Sequence, residues 1–143
     1  TEPANLLDGF TRAVSVAVNL SNAIMDGIED RPTPIYASHY PRVNSLLDAI
    51  ALILTRHLQE SGAQAMPIPA SQVLNRENNT SYLSHKAVAI AAGIGWQGKS
   101  LLTVSREYGP RIRLVTVLTD ADLKPDAPAS DGKPDAPAGI ARK

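Results

Sequence analysis

Residues 93–100 read Gly-Ile-Gly-Trp-Gln-Gly-Lys-Ser, and their spacing satisfies two phosphate-binding patterns at once. Gly93, Gly95 and Gly98 match G-x-G-x-x-G, while Gly93 with Gly98, Lys99 and Ser100 matches G-x-x-x-x-G-K-[ST]. Either pattern would rest phosphate oxygens on backbone N–H groups at a helix start, so both need the order strand, loop, helix. Downstream of Ser100 stand Thr103, Val104 and the Gly109-Pro110 pair, which oppose a sustained helix. The predicted order is instead helix, glycine loop, strand. A P-loop nucleotide-binding protein is therefore the weaker reading, and the loop needs another purpose. The remaining chemistry-bearing residues are sparse. His39, His57 and His85 lack metal-ligand spacing, and the absence of cysteine removes thiolate ligands and disulfides.

The elements around the loop follow from periodicity. Val14, Val16 and Val18 alternate with small residues over 12–20, which predicts a strand packed on both faces. Ser21 is placed to cap a short helix, and the Pro-rich stretch 31–34 then breaks the chain. Val43, Leu46, Leu47, Ile50, Leu54 and Leu58 recur at helical spacing, which predicts a long helix over 38–61 stopped by Gly62. Pro67 and Pro69 confine 63–69 to a sheet edge, and the polar residues 70–81 read as a loop. Ser84 and Gly93 bracket an alanine-rich segment that reads as a short helix, with a buried strand as the alternative. Residues 101–105 and 111–120 read as strands joined by a turn at Tyr108-Gly109.

Composition bounds the class. At 143 residues the chain suits one domain, expected over 1–122, with a Pro/Ala/Asp-rich tail or linker over 123–143. Lys plus Arg and Asp plus Glu both total 14, so neither bulk nucleic-acid binding nor a charged membrane surface is expected. No apolar run is long enough to span a bilayer, and the first residues do not form a signal peptide. The default location is cytoplasmic.

Residues 84–123 resemble the central region of the epoxyqueuosine reductase and reductive dehalogenase superfamily. The match rests on Ala92, Gly93, Ile94, Gly95, Trp96, Gly98 and Lys99, then Tyr108-Gly109, Arg113 and Thr119-Asp120 at the family's spacing. A looser likeness extends the match to about residues 10–123. The resemblance implies a nitroreductase-like α/β sandwich that binds cobalamin, with the glycine loop against the corrinoid. Gly93, Gly95, Trp96, Gly98, Lys99, Ser100 and Arg113 become the implied cofactor-binding residues, with the glycines letting backbone approach the ligand. A small-molecule substrate is implied, and electrons from an iron–sulfur module or ferredoxin.

Two departures from the family pattern matter. Asn79 stands where epoxyqueuosine reductases carry an acidic proton donor, and His85-Lys86 stand where they carry a Glu-Arg pair. Tyr82 and Lys86 are the implied replacements for proton supply. The [4Fe–4S] clusters of relatives need thiolates that this chain lacks, so they would lie in a module outside it, and the chain alone should not turn over. A non-catalytic corrinoid, tetrapyrrole or flavin-binding module is the alternative.

Overall fold

The computed structural model describes residues 5–72 and 81–129 of the chain. Eight elements follow in order: β1 (Arg12–Asn19), α1 (Asn22–Asp26), α2 (Pro34–Glu60), β2 (Ala65–Ile68), α3 (His85–Ala91), β3 (Gly95–Gln97), β4 (Thr103–Ser105) and β5 (Ile112–Thr119). Together they make a small mixed α/β domain.

β5 is the centre of a three-stranded sheet ordered β1-β5-β2, antiparallel on both sides. Its Val115 and Val117 are fully buried, and they meet Val43, Leu47, Ala51 and Leu58 of α2 to form the core. The pairing Val16↔Val115 and Val14↔Val117 turns the valines of β1 toward the same face. The opposite face of β1 carries Ala13 and Ala17, both exposed. The same face also holds Ser15 opposite Thr116, and there α3 packs against β1 and β5 and buries both, so the expected cover on both faces holds over the middle of β1, which lies at the sheet edge. β2 is an edge strand as its prolines require.

α2 begins four residues earlier than its apolar periodicity indicates. Pro34 occupies the first turn, where its missing N–H costs nothing, and Thr33 Oγ1 accepts a hydrogen bond from the Tyr36 N–H at 3.3 Å. The prolines read as a break are a start signal. Pro41 lies within the helix, and Gly62 ends it at φ +94°. Ser21 stands at the N-cap of α1, but its side chain makes no capping bond; its N–H donates to His39 Nε2 at 3.1 Å instead.

Among the described residues, no helix is long and apolar enough to cross a membrane. Asn79 falls outside the described residues.

Candidate functional site

The octapeptide owes its shape to two local devices. Ser84 Oγ accepts from the Ala87 N–H and starts α3, whose alanines carry it to Ala91. Gly93, at φ +78°, then ends it: the Ile94 N–H donates to the Ala89 carbonyl at 2.9 Å, and the Gly93 N–H donates to that of Ile90 at 3.1 Å. This paired closure satisfies the last helical carbonyls and needs a left-handed residue at 93.

The chain next forms a β-hairpin. Gly95, Trp96 and Gln97 pair with Ser105, Val104 and Thr103. The connecting turn closes with the Gly98 N–H on the Leu102 carbonyl at 2.8 Å and the Leu101 N–H on the Gly98 carbonyl at 3.0 Å. Among the described residues no helix follows Ser100. The nucleotide reading is overturned, because both patterns require that helix to carry the phosphate-binding amides.

The glycines serve contacts within the chain. A Cβ on Gly93 would overlap the Ala127 carbonyl oxygen, and one on Gly95 would overlap that of Val104. A Cβ on Gly98 would stand 2.8 Å from Val104 Cγ2. Close approach is indeed the reason for glycine at 93 and 95, but the chain's own backbone makes it, while at 98 the neighbour is the Val104 side chain. Ala127 belongs to the stretch expected to be a tail. Residues 123–129 meet the domain there and where Arg12 Nε donates to the Leu123 carbonyl at 3.0 Å.

The other expected site residues divide into two groups. Lys86 Nζ donates to the Leu101 carbonyl at 3.0 Å, which ties the start of α3 to the hairpin tip. Lys99 and Ser100 are exposed at that tip, and Trp96 is half-buried beside it. Arg113 lies elsewhere: it reaches α2, donating to Asn44 Oδ1 at 3.2 Å and stacking 3.9 Å from the centre of the Tyr40 ring. Tyr82 is half-buried, and its N–H donates to Gln72 Oε1 at 2.9 Å.

His85 is the residue that sequence reasoning noted without placing in a site. It sits where the β2 ladder ends at Ile68↔Thr116. Its Nδ1 lies 2.8 Å from Thr116 Oγ1, and its Nε2 lies 2.8 Å from the Pro69 carbonyl. A carbonyl only accepts, so Nε2 carries the proton and Nδ1 accepts from the threonine hydroxyl. Burial lowers the pKa below the usual imidazole value, and the Arg113 charge adds to that; the Pro69 hydrogen bond and the Asp48 charge oppose it. His85 joins α3, β2 and β5 as a neutral imidazole. A histidine at a helix start was the only signal, since nothing in the sequence pairs it with Thr116. Among the described residues, no group of three or more acidic or histidine side chains could hold a metal ion.

No family model matches the chain. Among curated proteins, it is 47% identical over 53 residues to an epoxyqueuosine reductase of Listeria monocytogenes, covering 37% of this chain and 14% of that protein. It is 30% identical over 132 residues to an epoxyqueuosine reductase of Salmonella typhimurium, covering 91% of this chain and 33% of that one. It is 28% identical over 118 residues to a tetrachloroethene reductive dehalogenase of Dehalobacter restrictus, covering 82% and 20%. A crystal structure of epoxyqueuosine reductase with a modified tRNA-Tyr stem loop superposes with a TM-score of 0.58 at 21% identity, covering 83% of this chain and 31% of that one. The chain spans a third or less of the length of each of these proteins.

Proposed function

We propose, from the premise that the chain is related to the epoxyqueuosine reductase and reductive dehalogenase superfamily, that it is the cofactor-facing part of a reductive oxidoreductase. The relation carries the general class: both kinds of relative are reductases by name. The finer reading, cobalamin on a nitroreductase-like sandwich, is ours. When bound, cobalamin would supply the electron-transfer chemistry, with electrons arriving from an iron–sulfur module or a ferredoxin.

The residues fit that cofactor in part. Gly93, Gly95 and Gly98 do not fit as its cradle, because the space a Cβ would fill is already occupied by the chain. They are positioning residues that shape the hairpin. The exposed tip does fit: Lys99 and Ser100 offer a charge and a hydroxyl, and Trp96 offers an aromatic edge to a large ligand. Lys86 can hold a proton at Nζ beside this tip, and Tyr82 stands just ahead of the same helix. Arg113 is engaged with α2, so its contribution is to brace β5.

The substrate reading changes. Charge balance argued against bulk nucleic-acid binding and the family resemblance implied a small molecule, yet the superposed structure carries a tRNA stem loop and most named relatives are epoxyqueuosine reductases. Net charge weighs bulk attraction only, whereas a base presented to a reductive site is held by local contacts. We therefore favour a base within tRNA as the substrate class, with a small organohalide second on the strength of the dehalogenase relative.

Titrating the purified chain with hydroxocobalamin tests the cofactor reading. A visible-spectrum change indicating loss of the lower axial base supports it. An unchanged spectrum at saturating protein contradicts it.

A further inference from the structure

The two edge strands of the sheet differ in how well they resist further pairing. β2 has four residues and carries Pro67, which has no N–H to donate, with Pro69 just beyond it. β1 has eight residues with neither proline nor lysine, and it pairs with β5 without a bulge from Arg12↔Thr119 to Asn19↔Ile112. We propose that the outer edge of β1 is an interface for a second copy of this chain, joined strand to strand and antiparallel.

Three observations carry the proposal. The first is the phase of the β1 backbone. The Leu20 N–H donates to the Arg111 carbonyl at 2.8 Å, and antiparallel ladders alternate from residue to residue. Hence Arg12, Val14, Val16 and Val18 turn their N–H and C=O groups toward β5. Ala13, Ser15, Ala17 and Asn19 turn theirs outward, where no strand lies among the described residues.

The second is self-complementarity. Antiparallel pairing about Val16 sets Ala13 against Asn19 and Ser15 against Ala17 of the second copy, so every outward residue meets an outward partner. Each of the four on each copy supplies one N–H, which gives about eight main-chain hydrogen bonds. Val14 then faces Val18, and Val16 faces its counterpart, which covers valines that the single chain leaves half-buried. Arg12, the only charge on the strand, falls opposite Leu20, so no like charges meet.

The third is apolar surface beside the same edge. His39 accepts from the Ser21 N–H past the end of β1, while Leu54 and His57 share a hollow with Val14 near its start. Leu46, Ile50 and Ile53 lie on the stripe of α2 between those two histidines, and Leu46 and Ile53 are 50% and 68% exposed. Pairing through β1 puts the α2 helices of both copies on one face of the joined sheet, with these stripes turned toward each other. The proposal uses none of the residues assigned to a cofactor, so either reading can fail without the other.

The test combines light scattering with amide hydrogen exchange on the 143-residue chain. Its mass should rise from 15.2 kDa toward twice that value between about 10 and 500 μM. Over the same range the amides of Ala13, Ser15, Ala17 and Asn19 should gain about tenfold or more in protection, while those of Val14, Val16 and Val18 stay protected throughout. Ala17→Pro removes an outward N–H that β5 does not use, and Ala17→Lys places a charge at the seam. Each should weaken dimerisation by about tenfold or more. Circular dichroism checks that both remain folded, and Ala17→Lys carries the comparison if the proline variant does not fold. A chain that stays at 15.2 kDa up to about 500 μM overturns the proposal and leaves the edge to another polypeptide. A dimer whose outward amides still exchange freely overturns it too, as do folded variants that dimerise as the wild type does.

Discussion

At the scale of single residues, His85 has the clearest consequence. It is held neutral between Thr116 and Pro69, with a pKa lowered by burial from the usual 6.5. Unfolded chains bind a proton as pH falls through about 6.5, whereas the folded one does so only at lower pH. The stability from this arrangement is therefore complete above that value and is lost progressively below it. Melting temperatures measured between pH 8 and pH 5 should fall, and His85→Gln should flatten the decline while lowering the plateau. A variant that declines as steeply as the wild type would remove His85 from this role. The sequence showed that a histidine opens α3 but not that Thr116 lies opposite. That partner is 31 residues away, and only the end of the β2 ladder brings the two together.

At the scale of elements, the glycine loop shows what periodicity can and cannot find. The cap at Ser84, the alanines and the stop at Gly93 were all legible, because each acts within a few residues. β3 was not. Its three residues include a glycine and a glutamine, too short for alternation to register, and its strand character comes from pairing with Thr103–Ser105. Likewise the prolines before α2 looked like a break because Thr33 as cap and Pro34 in the first turn resemble a loop until the helix is seen. The role of Gly95 follows from the hairpin. Gly95→Ala must displace the Val104 backbone, and should destabilise the chain by about 1–3 kcal/mol, seen as a melting temperature lower by at least about 3 °C. Unchanged melting would mean that β4 is not packed against residue 95.

At the scale of the whole molecule, the domain is a sheet with α2 sealing the core on one face and α3 packed against β1 and β5 on the other, where His85 bridges to Thr116 and the hairpin follows. Several large apolar side chains stay exposed, among them Leu46, Leu52 and Ile53 on α2 and Leu101 and Leu102 at the hairpin tip. The family relation was legible because its residues lie in one continuous stretch, whereas the net charge, which balances to zero over the chain, carries no information about a substrate. What connects all three scales is that residues 93–100 form the helix stop, first strand and turn of a hairpin whose tip is exposed. Cross-strand nuclear Overhauser effects in the intact chain test this most directly. Contacts linking Gly95 with Ser105 and Gln97 with Thr103 are the expected result. Helical contacts running onward from Ser100, with those cross-strand signals missing, would contradict it.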